Sequence, residues 1–187
     1  MILILKDKDS IWMASSIENT FGGVNTKDIL LQDNLKMWRP LGKAGAIMAT
    51  TGVAQADALR YTDFMALNAP LTQTSMIRNI LPTAKALLKD QGRLNGSRLC
   101  QEIAVAKDDK AFVATTACTV LEVEDFAAIG YPQSEEVALG AARLYRDLPP
   151  IDRITEIFHT IERADKSVHF PVVIMNTRSD ERIVIYE

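Results

Sequence analysis

The residues of this chain that could carry chemistry are few and widely spaced. Cys100 and Cys118 are the only cysteines, and two isolated cysteines make neither a disulfide framework nor a zinc site. We therefore expect two small buried residues. His159 and His169 have no second ligand at metal-binding spacing, so we expect surface or packed histidines. Spacing alone predicts no cofactor and no metal.

Candidate internal nucleophiles are the hydroxyls of two adjacent pairs, Ser15-Ser16 and Thr50-Thr51. A serine or threonine becomes a nucleophile when a base lies beside it, and no histidine is near either pair in the sequence. Hydroxyls in strands and turns commonly bond to nearby backbone groups. We therefore interpret all four as structural hydroxyls.

Composition limits the class of protein. The 187 residues, 48% hydrophobic and 24% charged, suit one globular domain spanning 1–187. A net charge of −3 with scattered lysines and arginines argues against a nucleic-acid partner. No apolar stretch is long enough to cross a bilayer, and the run at residues 2–5 is too short for a signal-peptide core. We expect a cytoplasmic protein without a membrane partner.

The elements that must position any site begin with a hairpin. Apolar runs at 1–5 and 11–14 flank the polar turn at 6–10, which predicts two antiparallel strands. A short strand ending before Pro40 and a buried strand follow. The middle and the end of the chain predict further hairpins and short strands. In order, the later strands are expected at 35–38, 44–49, 102–106, 111–115, 119–123, 126–129, 170–175 and 182–186.

Helical periodicity predicts four helices. The second should run from about Thr72 to Lys89, with a kink or a break at Pro82. Ser134 is expected to N-cap the third helix, and the fourth should follow Pro149-Pro150. The residues expected on the buried faces are, helix by helix, Ala54, Ala58, Tyr61 and Met65; Ile77, Ile80, Ala84 and Leu88; Val137, Ala141 and Leu144; and Ile151, Ile154, Phe158 and Ile161.

The order of these elements predicts the fold class. Strands, two helices, strands, two helices and strands follow one another along the chain. Blocks of hairpins and helix pairs favour antiparallel sheets covered by helices over a parallel α/β arrangement. We therefore predict an α+β protein, a four-layer αββα sandwich with a helix pair outside each of two antiparallel sheets.

Four segments in this order resemble the proteasome β-subunit superfamily over essentially the whole chain. They are KDKDSIWMASS at 6–16, NLKMW at 34–38, AIMATTGVAQAD at 46–57, and FAAIG at 126–130 followed by EVALGA at 136–141. The superfamily includes the bacterial peptidase of the ATP-dependent two-component protease. Its members are N-terminal-nucleophile (Ntn) hydrolases, so the resemblance implies their αββα fold.

The resemblance also implies a site. In the family an N-terminal Thr, Ser or Cys attacks a carbonyl, and its own α-amine is the base. An aspartate-oriented lysine and a backbone N–H at a glycine turn, the oxyanion hole, assist it. By this resemblance Lys36 is the family lysine, Gly52 the oxyanion turn and Asp165 the aspartate near the amine. A solvated or structural role for Lys36 and a plain turn at Gly52 are the alternatives.

Three positions depart from the family pattern. Met1, followed by Ile2, stands where the nucleophile belongs, and Ile2 has no nucleophilic atom. Ser16 stands where the family has the aspartate that partners the lysine. The turn at 131–134, YPQS, replaces a turn rich in glycine and serine. Cutting before Ser10 would remove the first strand and expose a sheet edge, so we expect no nucleophile, and Met1, Ser16, Lys36, Gly52 and Asp165 as a vestigial site.

Three functions fit this pattern. The first is a non-catalytic homologue that assembles or binds. The second is an active Ntn amide hydrolase or threonine-type peptidase with an unusual or processed N-terminus. The third is a small-molecule binding domain whose cleft is lined by Tyr131 and Trp38. The family's rings imply a homo-oligomer, with Met65, Leu67 and Leu71 as candidate contacts, and leave an ATPase partner unknown.

Overall fold

The computed structural model describes residues 1–16, 36–165 and 168–186. The predicted strand at 35–38 is present from Met37, and Leu35 lies outside the described residues. The strands are β1 Ile2–Asp7, β2 Ser10–Ser16, β3 Met37–Trp38, β4 Ala46–Thr50, β5 Leu94–Asn95, β6 Arg98–Leu99, β7 Ile103–Lys107, β8 Lys110–Ala114, β9 Val120–Glu122, β10 Phe126–Ile129, β11 Val172–Asn176 and β12 Ser179–Ile185.

The helices fall into two groups along the chain. The first group is α1 Val53–Arg60, a 3-10 helix Met65–Asn68, α2 Gln73–Ser75, a π-helix Met76–Ile80 and α3 Leu81–Asp90. The second group is α4 Pro132–Leu144 and α5 Pro150–Ala164. The predicted break at Pro82 is present, because the π-helix ends and α3 begins immediately before it.

Sheet 1 contains five antiparallel strands in the order β10-β1-β2-β11-β12. Successive side chains of a strand point to opposite faces. In β1, Ile2 and Ile4 therefore join the core between the sheets, while Leu3 and Leu5 pack towards α4 and α5. Both faces of β1 are buried, which explains why its sequence is continuously apolar rather than alternating.

Sheet 2 has the antiparallel order β3-β4-β7-β8-β9. The predicted hairpin of β7 and β8 is confirmed, and its turn places Asp108 at a φ of 54°, which aspartate tolerates better than most residues. Strands β5 and β6 form a separate two-stranded sheet.

Three apolar clusters divide the molecule into four layers. One lies between sheet 2 and the first helix group, one between the two sheets, and one between sheet 1 and the pair α4 and α5. The α+β fold with two antiparallel sheets covered by helices is therefore confirmed. Among the described residues no helix is long and apolar enough to cross a membrane; the cytoplasmic location stays a prediction.

The face expected on the first helix is wrong at its second half. Helix α1 ends at Arg60, so Tyr61 lies beyond it with 87% of its surface exposed, and Met65 of the 3-10 helix is 66% exposed. Ile77 is also exposed, although Ile80, Ala84 and Leu88 are buried as expected. The apolar periodicity of the sequence continued past Arg60, where α1 ends.

The third helix also differs from its prediction. It begins at Pro132, so Ser134 is buried inside its first turn rather than capping it. Leu144, the last residue of α4, is 73% exposed. Ala141 is buried as predicted, and Val137 is partly buried against the same cluster. The other buried residues of α4 are small, namely Ser134, Ala138 and Ala142.

The cysteines are also placed differently from the prediction, whereas the histidines agree with it. Cys100 is exposed and Cys118 is half-buried, so neither is a small core residue. His159 stacks on Phe170 at 4.5 Å between ring centres, and His169 lies at the surface 3.5 Å from Glu162. Within the described ranges, no three His, Cys, Asp or Glu side chains are grouped to hold a metal ion.

Candidate functional site

Met1 and Ser16 lie at one end of sheet 1. Strands β1 and β2 pair with Ile2 opposite Ser15, so the same register places Met1 opposite Ser16. The Met1 side chain is only 3% exposed and belongs to the apolar cluster between sheet 1 and α4 and α5. A thioether, packed in apolar surroundings, therefore occupies the position that precedes β1.

Gly130 brings β10 to the same place. Ile129 pairs with Ile2, and a Cβ on Gly130 would lie 3.4 Å from both Cα and Sδ of Met1. The glycine thus leaves little space between the turn after β10 and the methionine. Its N–H donates to Oε1 of Glu135 at 2.8 Å, which ties this turn to the first turn of α4.

Lys36 and Gly52 belong to the facing end of sheet 2. Lys36 is 3% exposed, and its carbonyl accepts a hydrogen bond from the Thr50 N–H at 2.8 Å. Gly52 immediately precedes α1, in an extended conformation with φ −119°. A Cβ at position 52 would collide with the carboxamide of Gln101, so this side chain covers the glycine turn.

Asp165 is brought to Ser134, a contact that the sequence prediction missed. Ser134 in α4 is fully buried, and its hydroxyl donates to Oδ2 of Asp165 just after α5. The two residues are 31 positions apart. Ser134 was expected to N-cap the third helix, and no local pattern in the sequence pairs it with Asp165.

Of the hydroxyls interpreted as structural at Ser15-Ser16 and Thr50-Thr51, that of Ser15 forms the expected backbone hydrogen bond. Ser15 Oγ donates to the Ser16 carbonyl at 3.1 Å. Ser16 Oγ and Thr50 Oγ1 are buried and have no hydrogen-bond partner within the described ranges. Leaving buried hydroxyls unsatisfied costs about 1–3 kcal/mol each, so polar groups are concentrated at this end of both sheets at the expense of stability.

A cavity of about 420 Å³ opens between the two sheet ends. Tyr131 stands exposed at its rim, whereas Trp38 is buried in the core between sheet 2 and its helices, so only Tyr131 of the predicted pair lines it. Burial raises the pKa of Glu102, and the nearby charge of Glu135 raises it further. The described residues lining the cavity are Met1, Thr51, Cys100, Gln101, Glu102, Thr116, Gly130, Tyr131, Pro132 and Glu135.

Two antiparallel sheets between helical layers, with a cleft where β1 begins and where β4 and β10 end, define the Ntn-hydrolase fold. Similar solved structures confirm this fold. Thiobacillus denitrificans BPH matches 96% of this chain and 99% of its own at 19% identity and a TM-score of 0.72. Anbu (ancestral beta-subunit) from Yersinia bercovieri matches 100% and 87% at 12% identity and 0.66.

A third similar structure is the eukaryotic HslV from Trypanosoma brucei. It matches 94% of this chain and 97% of its own at 16% identity and a TM-score of 0.59. No protein-family model matches the chain, and no curated protein sequence matches it. At these identities the likeness shows the fold, and the function must be argued from the site.

Proposed function

We propose that this protein is a non-catalytic, degenerate homologue of the proteasome β-subunit that self-assembles and binds a ligand in its cleft. The observation that carries the proposal is the buried thioether of Met1, packed against Gly130. By the resemblance this is the nucleophile's position. A thioether has no proton for a base to remove, so it cannot supply the attacking alkoxide or thiolate.

Two further residues support the proposal. Ser16 is uncharged where the resemblance implies a carboxylate, so it cannot orient Lys36 through an ion pair. Gln101 covers Gly52, the turn whose N–H would stabilise an oxyanion. An oxyanion hole acts through donors aimed at the developing charge, and a side chain packed over that turn restricts access to it.

Covalent labelling tests the absence of catalysis. Epoxomicin is the probe, because Thiobacillus denitrificans BPH was solved in complex with it and provides the positive control. We expect the intact mass of the present protein to be unchanged after incubation, while BPH gains one inhibitor mass. An adduct on Met1 or on any hydroxyl would overturn the proposal.

A gain-of-function variant sharpens the same test. Met1→Thr combined with Ser16→Asp, released from a cleavable fusion so that the threonine is N-terminal, restores both missing groups. We expect epoxomicin labelling in this variant and none in the matched Met1→Ala, Ser16→Asp control. Labelling of both variants would mean that another residue reacts, against the assignment of Met1.

Self-assembly has support from similar structures and from one of the three candidate contacts. A helical assembly of the Anbu complex from Pseudomonas aeruginosa has 14% identity and a TM-score of 0.67 to this chain. Met65 is exposed, whereas Leu67 and Leu71 are buried in the protomer and cannot be contacts. Light scattering should give a multiple of 20.7 kDa; a monomeric mass at micromolar concentration would contradict this part of the proposal.

An active amide hydrolase is the second candidate. Buried Lys36 and the contact between Ser134 and Asp165 favour it, since both retain groups that the resemblance associates with the site. Intact mass spectrometry of protein purified from its native host discriminates the two. A mature chain that begins with Thr, Ser or Cys supports the hydrolase, and an unprocessed Met1 contradicts it.

A further inference from the structure

A second cavity lies beside the first one. It measures about 1190 Å³ and is bounded by β8, β9, β10 and α4. Glu102 lines both cavities, and Thr115 of the larger one adjoins Thr116 of the smaller one. The two cavities therefore meet at Glu102. We call the pair, from Tyr131 to Arg146, the acidic groove.

Carboxylates outnumber cations along the acidic groove. Three of its acidic side chains are neutralised: Asp125 lies 3.7 Å from Arg153, Asp147 lies 3.6 Å from Arg146, and Glu122 pairs with Lys110. Glu102 and Glu124 have no ion pair within 4 Å among the described residues, and Glu135 faces Glu102. The lining carboxylates are Glu102, Glu122, Glu124, Asp125, Glu135 and Asp147, against the lining cations Arg143, Arg146 and Arg153 and the neighbouring Lys110, which pairs with Glu122.

The centre of this excess charge is Glu102. Its pKa is raised because it is half-buried and close to the like charge of Glu135. Both causes oppose ionisation, and a cation placed between the two carboxylates would favour the ionised form. The groove thus contains negative charge that the described part of the chain does not neutralise.

The groove also offers apolar and backbone contacts. Leu121 of β9 and Leu139 of α4 are exposed side chains that line it. Strand β9 is the last strand of sheet 2, so within residues 1–16, 36–165 and 168–186 no strand pairs with its outer edge. Gln73 covers part of that edge by donating to the Val120 carbonyl at 3.2 Å. Exposed sheet edges and alternating pockets suit an extended polypeptide.

We propose that the acidic groove binds an extended basic polypeptide segment, with lysine or arginine side chains at Glu102, Glu124 and Glu135 and apolar side chains on Leu121 and Leu139. This deepens the binding role proposed above and rests on it. Charge complementarity favours a basic segment of another polypeptide over a second copy as the occupant of this groove, because this chain has a net charge of −3.

Fluorescence anisotropy with defined peptides tests the proposal. The probe is a fluorescein-labelled nonapeptide that alternates lysine with leucine, and the control peptide has glutamate in place of each lysine. We expect saturable binding of the lysine peptide, at least about tenfold weaker binding of the glutamate peptide, and a Kd that rises with added salt because salt screens exposed charges. Equal binding of both peptides, or none, would overturn the proposal.

Variants locate the binding. Glu102→Gln and Glu124→Gln remove charges without changing shape and should each raise the Kd about two- to fivefold, as expected for partly exposed ion pairs. Glu181→Gln on β12, at the opposite edge of sheet 1, is the matched control and should leave it unchanged. Glu135 is not used, because it accepts the Gly130 N–H.

The outcomes separate this inference from the function on which it rests. An epoxomicin adduct together with intact peptide binding would overturn the non-catalytic assignment and leave the groove standing. No peptide binding without an adduct would overturn the groove alone. If Glu102→Gln and Glu124→Gln change the oligomeric mass while neither affects peptide binding, the groove contacts a second copy and the proposal is wrong.

Discussion

The two helical layers of the molecule differ in regularity. Over sheet 1, α5 is a single 15-residue helix whose apolar stripe is buried at Ile154, Ile157, Phe158 and Ile161. Over sheet 2, the chain passes through α1, a 3-10 helix, α2, a π-helix and α3. Apolar Met65 and Ile77 of that layer are exposed.

The position of proline accounts for much of this difference. Helices α4 and α5 begin with Pro132 and Pro150, where the missing N–H would have no partner in any case. Pro82 lies within a helical stretch instead, so it cannot donate to the Arg78 carbonyl. The preceding residue, Leu81, donates to Met76 in a π-turn, which widens the helix before the proline ring.

Removing a large side chain from the regular layer should have the largest effect. Phe158 is buried in α5 and meets Phe170 edge to face at 6.5 Å. Phe158→Ala should lower the free energy of unfolding by about 3–5 kcal/mol, measured by urea denaturation. Tyr61→Ala in the irregular layer is the control and should change it by less than about 0.5 kcal/mol. Similar losses would mean that the two layers are equally well packed.

Adding a proline to the regular layer and removing one from the irregular layer tests whether proline position causes the difference between them. Thr155→Pro in the interior of α5 should cost about 3 kcal/mol or more, because it removes a backbone hydrogen bond and inserts a ring into the preceding turn. Pro82→Ala should change stability by about 1 kcal/mol or less, since the π-turn already accommodates position 82. Thermal unfolding measures both, and a large loss on Pro82→Ala would contradict the explanation.

Removing the contact between α4 and the end of α5 should lower the free energy of unfolding by an intermediate amount. Ser134→Ala removes the donor to half-buried Asp165 and should cost about 1–3 kcal/mol. Thr72→Ala removes the exposed cap of α2, which accepts from the Ser75 N–H at 3.0 Å, and should cost about 1 kcal/mol. If Thr72→Ala proved more costly than Ser134→Ala, the contact between Ser134 and Asp165 would not be a main source of stability in the regular layer.

The smallest effect on the free energy of unfolding is expected at Glu102, which lies near Glu135 in the smaller cavity. Because burial and Glu135 raise the folded-state pKa of Glu102, the folded protein binds this proton more tightly than the unfolded chain. Its ionisation therefore lowers stability as pH rises from the unfolded pKa through the folded one.

Glu102→Gln should thus match wild type at low pH and exceed it at neutral pH by less than about 1 kcal/mol, since the group is partly solvated. Urea denaturation across the acidic range measures the difference. Glu136→Gln, one residue beyond Glu135 in α4, controls for the loss of a carboxylate. A constant difference between Glu102→Gln and wild type at every pH would rule out titration of Glu102 as its cause.

The strands and α5 could be predicted from the sequence because their signals are local. The run at 2–5, the polar turns of the hairpins and the stripe from Ile154 to Ile161 each repeat at a period set by backbone geometry. The resemblance placed Lys36 on the strand expected at 35–38 and Gly52 in the turn before the first long helix. The structure has Lys36 immediately before β3 and Gly52 immediately before α1. For Lys36, Gly52, Met1, Ser16 and Asp165 alike, a functional role stays a prediction.

Only the tertiary structure decided which distant groups meet. Ser134 finds Asp165 across 31 positions, Gln101 covers Gly52, and Glu102 joins two cavities. Exposure of Tyr61 and Leu144 was likewise mispredicted, because burial depends on which surface packs against a residue and not on its own periodicity. The local sequence by itself determined strands and helices through backbone periodicity; the site was decided by contacts between segments whose separation no local pattern records.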